Sequence, residues 1–246
     1  MKCFLKILLL LFIVNNSLFS QQNTRQLTYD SFAAKNFRLW PELIEKQEKK
    51  IINDSGSCIE ILEIMKDYYG YIGHLLDIND KKNADIWCKK AKKFFSKVSK
   101  PYLNDADFIA YNSLLTAFEI AISPYKAPLL APSMFLNARK SINLNPNSAV
   151  SNLSYGNFLY FFPEALGGDK NKALEHYTKV FQYFEENKDV ADNDWRYLYI
   201  ISTLGVVNER LGNLSVARDW LNYALSICPE YVYVIEVLIP RLNSYN

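Results

Sequence analysis

The side chains of this sequence that could do chemistry are few. Of the two histidines, His74 stands three residues before Asp77, so a helix would carry both on one face. Cys88 could join them if two helices pack together. A zinc ion wants three or four such ligands with supporting hydrogen bonds. No CxxC, no HExxH and no second nearby His completes the set, and His74 reads as an ordinary surface or half-buried side chain. Beyond Cys3 the cysteines are Cys58, Cys88 and Cys228. In an oxidising compartment Cys58–Cys88 is the pair to test for a disulfide. Cys88 falls at a core position and Cys228 sits beside Pro229, so buried free thiols acting as small hydrophobes are the expectation. GxSxG, SxxK, P-loop and GxGxxG signatures are all missing, and no carboxylate pair stands out among the many acids. The chain is expected to have no catalytic residues, no metal ligands and no cofactor, and not to be an enzyme.

The opening stretch, MKCFLKILLLLFIVNNSLFSQQ, sets Lys2 and Lys6 around a short apolar run, Ile7 to Val14, with a small residue at Ser20. That is the pattern of a secretory signal. A spanning helix needs about 20 apolar residues, and Asn15-Asn16 break this run well before that. Cleavage after Ser20 would leave a periplasmic or secreted protein without a membrane anchor, and Cys3 precedes the apolar core, where lipidation does not occur. The charge balance shifts with it. The chain carries 28 basic and 26 acidic residues, and without residues 1–20 it carries 26 of each. A nucleic-acid binder needs a cationic surplus to displace phosphate counterions, so no nucleic-acid partner is expected. Lys89, Lys90, Lys92 and Lys93 read as one solvated helix face.

Stepping from these residues to the elements that must hold them, the 8 Gly and 9 Pro sit mostly at joints, which favours long helices over many short strands. Residues 21–36 are polar and expected to be a flexible leader, ahead of one domain over 37–246. Within it, residues 198–229 place Ile201, Leu204, Gly205, Ala217, Leu221, Ala224 and Pro229 at fixed spacings. Gly205 and Ala217 let two helices approach closely, Gly212-Asn213 turns the chain, and Pro229 stops the second helix. A related pattern covers 148–188, with Tyr155-Gly156, Ala173, Tyr177 and Val180. Its helices are separated by the longer FFPEALGGDKNKA (161–173), where Pro163, Gly167-Gly168 and Asp169 should make a turn and a helix cap. A third pair is expected near 105–145, with Pro124, Pro128 and Pro132 forming a rigid connector before a helix over 133–143.

These residues resemble the tetratricopeptide repeat, with Asn208 departing where Tyr is usual. The Pro-Gly-Gly-Asp insertion is similar to one in exported tetratricopeptide proteins, among them the periplasmic T component of tripartite transport systems. The resemblance implies an all-α fold, a right-handed superhelix of antiparallel helix pairs, with capping helices over 37–100 and a C-terminal capping helix over 230–243. It also implies a concave groove lined by the first helix of each pair: Asn157, Tyr160 and Phe161 from one, and Tyr199, Ser202, Val206, Glu209 and Arg210 from the next. Tyr with Asn and Arg suits recognition. Two functions then stand open. One is an exported scaffold that holds a peptide or protein partner; the other is a periplasmic component that holds a small organic ligand. The last segment, EYVYVIEVLIPRLNSYN, is apolar nearly all round, and a second apolar face over 230–239 is expected to support modest self-association.

Overall fold

The computed structural model describes residues 23–54 and 56–245; the secretory-signal expectation for 1–20 falls outside them. Helix is the regular structure throughout the described residues. In order they are α1 (23–33), α2 (Trp40–Asp54), α3 (Cys58–Asp77), α4 (Lys81–Val98), α5 (Ala106–Ile122), α6 (Ala127–Leu144), α7 (Ala149–Phe161), α8 (Lys170–Glu186), α9 (Lys188–Ala191), α10 (Trp195–Arg210), α11 (Leu214–Ile227) and α12 (232–243). Among these residues no helix is long and apolar enough to cross a membrane. The starts are written locally. Ser57 and Glu60 form a capping box on α3, and Asp105, Ser148, Asp169 and Asp194 accept first-turn backbone N–H groups of α5, α7, α8 and α10.

Three consecutive pairs pack most extensively: α5 with α6, α7 with α8, and α10 with α11. Small residues set their spacing. A Cβ on Gly205 would lie 2.7 Å from Leu221 Cδ2, and one on Gly156 would lie 3.0 Å from the Tyr177 ring. In the α7–α8 turn Gly167 takes φ +95°, but Gly168 does not. What Gly168 supplies is proximity, since a Cβ there would fall 1.8 Å from the Phe162 carbonyl oxygen. The proline-rich stretch also differs from the expected connector. It is a short 3-10 turn, Pro124–Lys126, running into α6 at Ala127. Pro128 occupies the first turn, where no N–H is needed, so Pro132 removes only one bond near the helix start.

The expected leader is instead a packed helix. Phe32 of α1 lies 5.2 Å from the Trp195 ring and 5.6 Å from Tyr231, centroid to centroid. Arg25 donates to the Val190 carbonyl at 2.7 Å and pairs with Asp194 at 3.4 Å. Asp194 is fully buried and also takes the Arg196 guanidinium through Nε (3.0 Å) and Nη2 (2.7 Å). Lys66 of α3, buried beside it, bonds Glu63 at 2.7 Å and stands 4.0 Å from Asp194. Burial alone would raise the Asp194 carboxyl, yet the charges of Arg196 and Lys66 hold it well below the usual carboxylate range. One ionic cluster therefore ties α1, α3 and the start of α10 together.

The last helix turns most of its apolar residues inward. Tyr231, Val234, Leu238 and Leu242 are buried, and Tyr233, Val237 and Ile239 pack partly against the same core. The second apolar face is thus spent on upstream helices, leaving Ile235 as its large exposed hydrophobic. Pro240 has no N–H for an ordinary helical bond, and the turn before it, Val234–Leu238, is π-helical.

Two outcomes follow for stability. A Cβ on Gly70 would lie 2.5 Å from the Trp40 ring and 2.8 Å from Trp195, whereas one on Gly73 would meet only Phe118 Cζ at 3.7 Å. Gly70→Ala should cost roughly 1–3 kcal/mol by overpacking and Gly73→Ala nothing; equal urea midpoints for the two would contradict this packing. Asp67 is the second case. Burial pushes its carboxyl up to about 6 against the pull of Lys66 and the Gln47 amide. The folded state holds this proton more tightly than the unfolded chain, so the stabilisation exists at low pH and is lost as pH rises through 6. Asp67→Asn should therefore gain roughly 2 kcal/mol more near pH 7.5 than near pH 4, read as the difference between denaturant unfolding curves at the two pH values.

Candidate functional site

Helices α1, α3, α5, α7, α10 and α12 converge on one cavity of about 720 Å³. Aromatic rings make much of its wall. Tyr69 of α3 stacks on Phe118 of α5 with centroids 5.0 Å apart, and Trp195 lies 6.2 Å from Tyr199. Phe37 stacks on His74 at 3.9 Å. Rings suit this position because their rigidity keeps opposing walls from collapsing onto one another, while smaller residues on the same wall, Gly73 and Ala117, leave the volume free.

The polar groups inside form a connected set. The Tyr177 hydroxyl donates to Asn157 Oδ1 at 2.8 Å, Asn157 Nδ2 donates to the Tyr69 hydroxyl at 3.0 Å, and the Tyr69 and Tyr199 hydroxyls lie 3.4 Å apart. Ser202 and Tyr231 hydroxyls meet at 3.3 Å. Burial pushes the phenols of Tyr69, Tyr177, Tyr199 and Tyr231 above their ordinary value, so all stay protonated. Burial also lowers His74 against the opposing charge of Asp77, which leaves a neutral ring at pH 7. The charges on the cavity wall are Lys35 and Asp77, paired with each other at 3.4 Å, with Lys35 also over the Tyr233 ring at 5.2 Å. The interior is apolar and aromatic, furnished with neutral hydrogen-bonding groups.

Of the sequence candidates, Asn157, Tyr160, Phe161, Tyr199, Ser202 and Val206 all lie on this wall. Glu209 and Arg210 do not. Glu209 is buried and holds Arg241 of α12 through the guanidinium Nε and Nη2, an assignment to structure that follows from α12 lying across that end of α10. Arg210 closes the last turn of α10, its charge beside the Tyr160 hydroxyl. The spacing argument missed Tyr69 and Gly73 of α3, Trp195 at the start of α10, and Lys35, Tyr231 and Tyr233 towards the chain ends. A usable signal was present in Tyr68-Tyr69-Gly70-Tyr71, a run of rings interrupted by the one residue without a side chain.

The remaining chemistry-bearing residues go to other partners. Cys58, Cys88 and Cys228 are free thiols, so Cys58–Cys88 is not a disulfide. Cys88 is buried with Sγ 3.6 Å from the Leu115 carbonyl, while His74 faces the cavity. No protein-family model and no curated protein matches the chain, which leaves the cavity itself as the guide to function.

Asn157 ties two buried phenols, one of them Tyr177 with only 1% of its surface exposed. Asn157→Leu should cost roughly 1–3 kcal/mol by stranding the Tyr177 hydroxyl, and Tyr177→Phe in the same chain should recover much of the loss. A urea titration showing no loss in the single variant would mean the network contributes nothing to the fold.

Proposed function

We propose that this chain is an exported, non-enzymatic binding protein whose cavity holds a small, mainly apolar organic molecule. The observation that carries the reading is the cavity's form. Its volume of about 720 Å³ falls within the roughly 300–1,000 Å³ usual for small-molecule sites, and its walls combine rings with a few convergent polar groups. An extended peptide or partner helix would need an open groove. Here Phe32 from α1 and Tyr231 and Tyr233 from α12 add to the wall, which gives the space more sides than the groove of paired helices alone would have. Between the two sequence-level readings, this favours the ligand-holding component over the peptide scaffold.

The three helix pairs, with Gly205 against Leu221 and Gly156 against Tyr177, support a tetratricopeptide-like stack, read as a right-handed superhelix whose concave side is closed by the chain ends. The resemblance of residues 161–173 to exported transport components supports a role in holding or handing on a ligand. The basic and then apolar character of residues 1–20 supports export to the periplasm or beyond. Phenols kept protonated, an amide and hydroxyls can orient a guest, and none of them is poised as a nucleophile or base, which supports binding without turnover.

The test is titration with N-phenyl-1-naphthylamine, an uncharged probe whose fluorescence rises in apolar surroundings. Saturable binding of one probe per chain is expected. Gly73→Phe should weaken it by at least about tenfold, because the new ring enters free space instead of a packed contact, and the variant should melt with wild type. Binding that ignores Gly73→Phe, or no saturable binding at all, would count against the reading.

A further inference from the structure

The inner wall of the cavity is mostly neutral, but its mouth is charged. Among the wall residues, Phe161 and Asp77 are exposed to water, which places the opening where α3, α7 and α10 end. Phe161 meets the Tyr160 ring edge-on, with centroids 4.9 Å apart, and Tyr233 lines the same space from α12. Around these two phenols stand Arg210, Arg241, Glu209 and Asp77. Lys35 completes the rim, over the Tyr233 ring at 5.2 Å.

Four of these five charges cancel in pairs. Asp77 holds Lys35 at 3.4 Å, and Glu209 accepts from Arg241 Nε at 2.9 Å. Arg210 is left over. It pairs with no carboxylate among the described residues, and it is exposed in the last turn of α10. Val206, one turn earlier, lines the cavity, so Arg210 carries the cavity-facing stripe of α10 out to the rim.

Resting on the small-ligand reading above, we propose that the cavity selects amphiphiles with an apolar body and one terminal carboxylate, the body inside the aromatic wall and the carboxylate at the mouth on Arg210. The interior has nothing for an ionised head, because its polar groups are phenols, an amide and hydroxyls, and Lys35 and Asp77 hold each other. Burying an unpaired charge there would be costly. At the rim the head keeps much of its water and gains a guanidinium fork, which fits a carboxylate through two parallel N–H bonds. A single uncompensated positive charge suits a monoanion. A cationic head would meet Arg210 as a like charge, and an uncharged one would fill the cavity but leave Arg210 to water.

The experiment displaces N-phenyl-1-naphthylamine with decanoate, decanol and decylamine, which share one chain and differ in the charge of the head, each below its micelle concentration. Decanoate should compete about tenfold more tightly than decanol, with decylamine weakest, and the advantage should shrink in molar salt. Arg210→Gln should bring decanoate within about threefold of decanol, while decanol, which has no charge for residue 210 to hold, keeps its affinity. Because Arg210 is exposed, this variant should melt with wild type. Arg210→Lys keeps the charge without the fork and should retain part of the advantage. Decanoate no tighter than decanol, or an advantage that survives Arg210→Gln, overturns the inference and leaves the small-ligand cavity intact, since decanol still displaces the probe. Failure of the probe to bind, or of all three compounds to displace it, removes the cavity reading and this inference with it.

Discussion

A missing side chain at residue 70 is the constraint from which the rest of the structure follows. At Gly70 helix α3 lies against the neighbouring indoles of Trp40 of α2 and Trp195 of α10, and even a methyl group there would fall 2.5 Å and 2.8 Å from their rings. That close passage fixes the rotation of α3 about its axis. Tyr69 is then turned to the cavity and Gly73, one turn later, opens onto the same space. Lys66, one turn earlier, is buried among Glu63, Asp67 and Asp194. A helix with a side chain at 70 would stand off from both indoles, and neither the ionic cluster nor the aromatic wall could form as it does.

The same helix separates charge from neutral polarity. At the start of α10, Asp194 collects three cationic side chains and the backbone N–H of Arg196. A buried carboxylate survives there because each of its charges is answered, and losing one partner would leave the others exposed to the full desolvation cost. Trp195, the next residue, turns the other way and forms part of the cavity wall. On that side the polar groups are phenols, an amide and hydroxyls, none of them ionised at neutral pH, and the wall's charges are the mutually paired Lys35 and Asp77. The molecule thus uses the Asp194 cluster to fasten α1 and α3 to the C-terminal half, apart from the wall that carries the phenols.

How much of this could be read from the letters depended on how local the cause was. Gly205, Ala217 and Leu221 announce a helix pair because their partners lie within twenty-odd residues at regular spacing, and the groove-facing positions Asn157, Tyr160 and Tyr199 follow from the same spacing. Residues 23–33 announce nothing of the kind. Arg25 and Phe32 are held by Val190, Asp194, Trp195 and Tyr231, contacts that cross most of the chain, so a polar composition read as a leader. Glu209 failed for a related reason: spacing put it on the concave side, but only the placement of α12 makes it the partner of Arg241. The apolar second face of α12 was seen correctly as needing a cover, and the cover is internal. Gly168 shows a finer limit, since a glycine required by proximity and one required by positive φ look alike in sequence.

The account's central claim is a concave space, lined by aromatic rings, that admits a guest. A crystal structure of the protein grown with N-phenyl-1-naphthylamine tests this most directly. The account predicts the probe's rings inside the cavity lined by Phe118, Tyr69 and Trp195, with α1 and α12 still in place and the Tyr177–Asn157–Tyr69 bonds intact. Walls collapsed into mutual contact, or a probe bound only on the outer helices with the interior filled by the protein's own side chains, would contradict it.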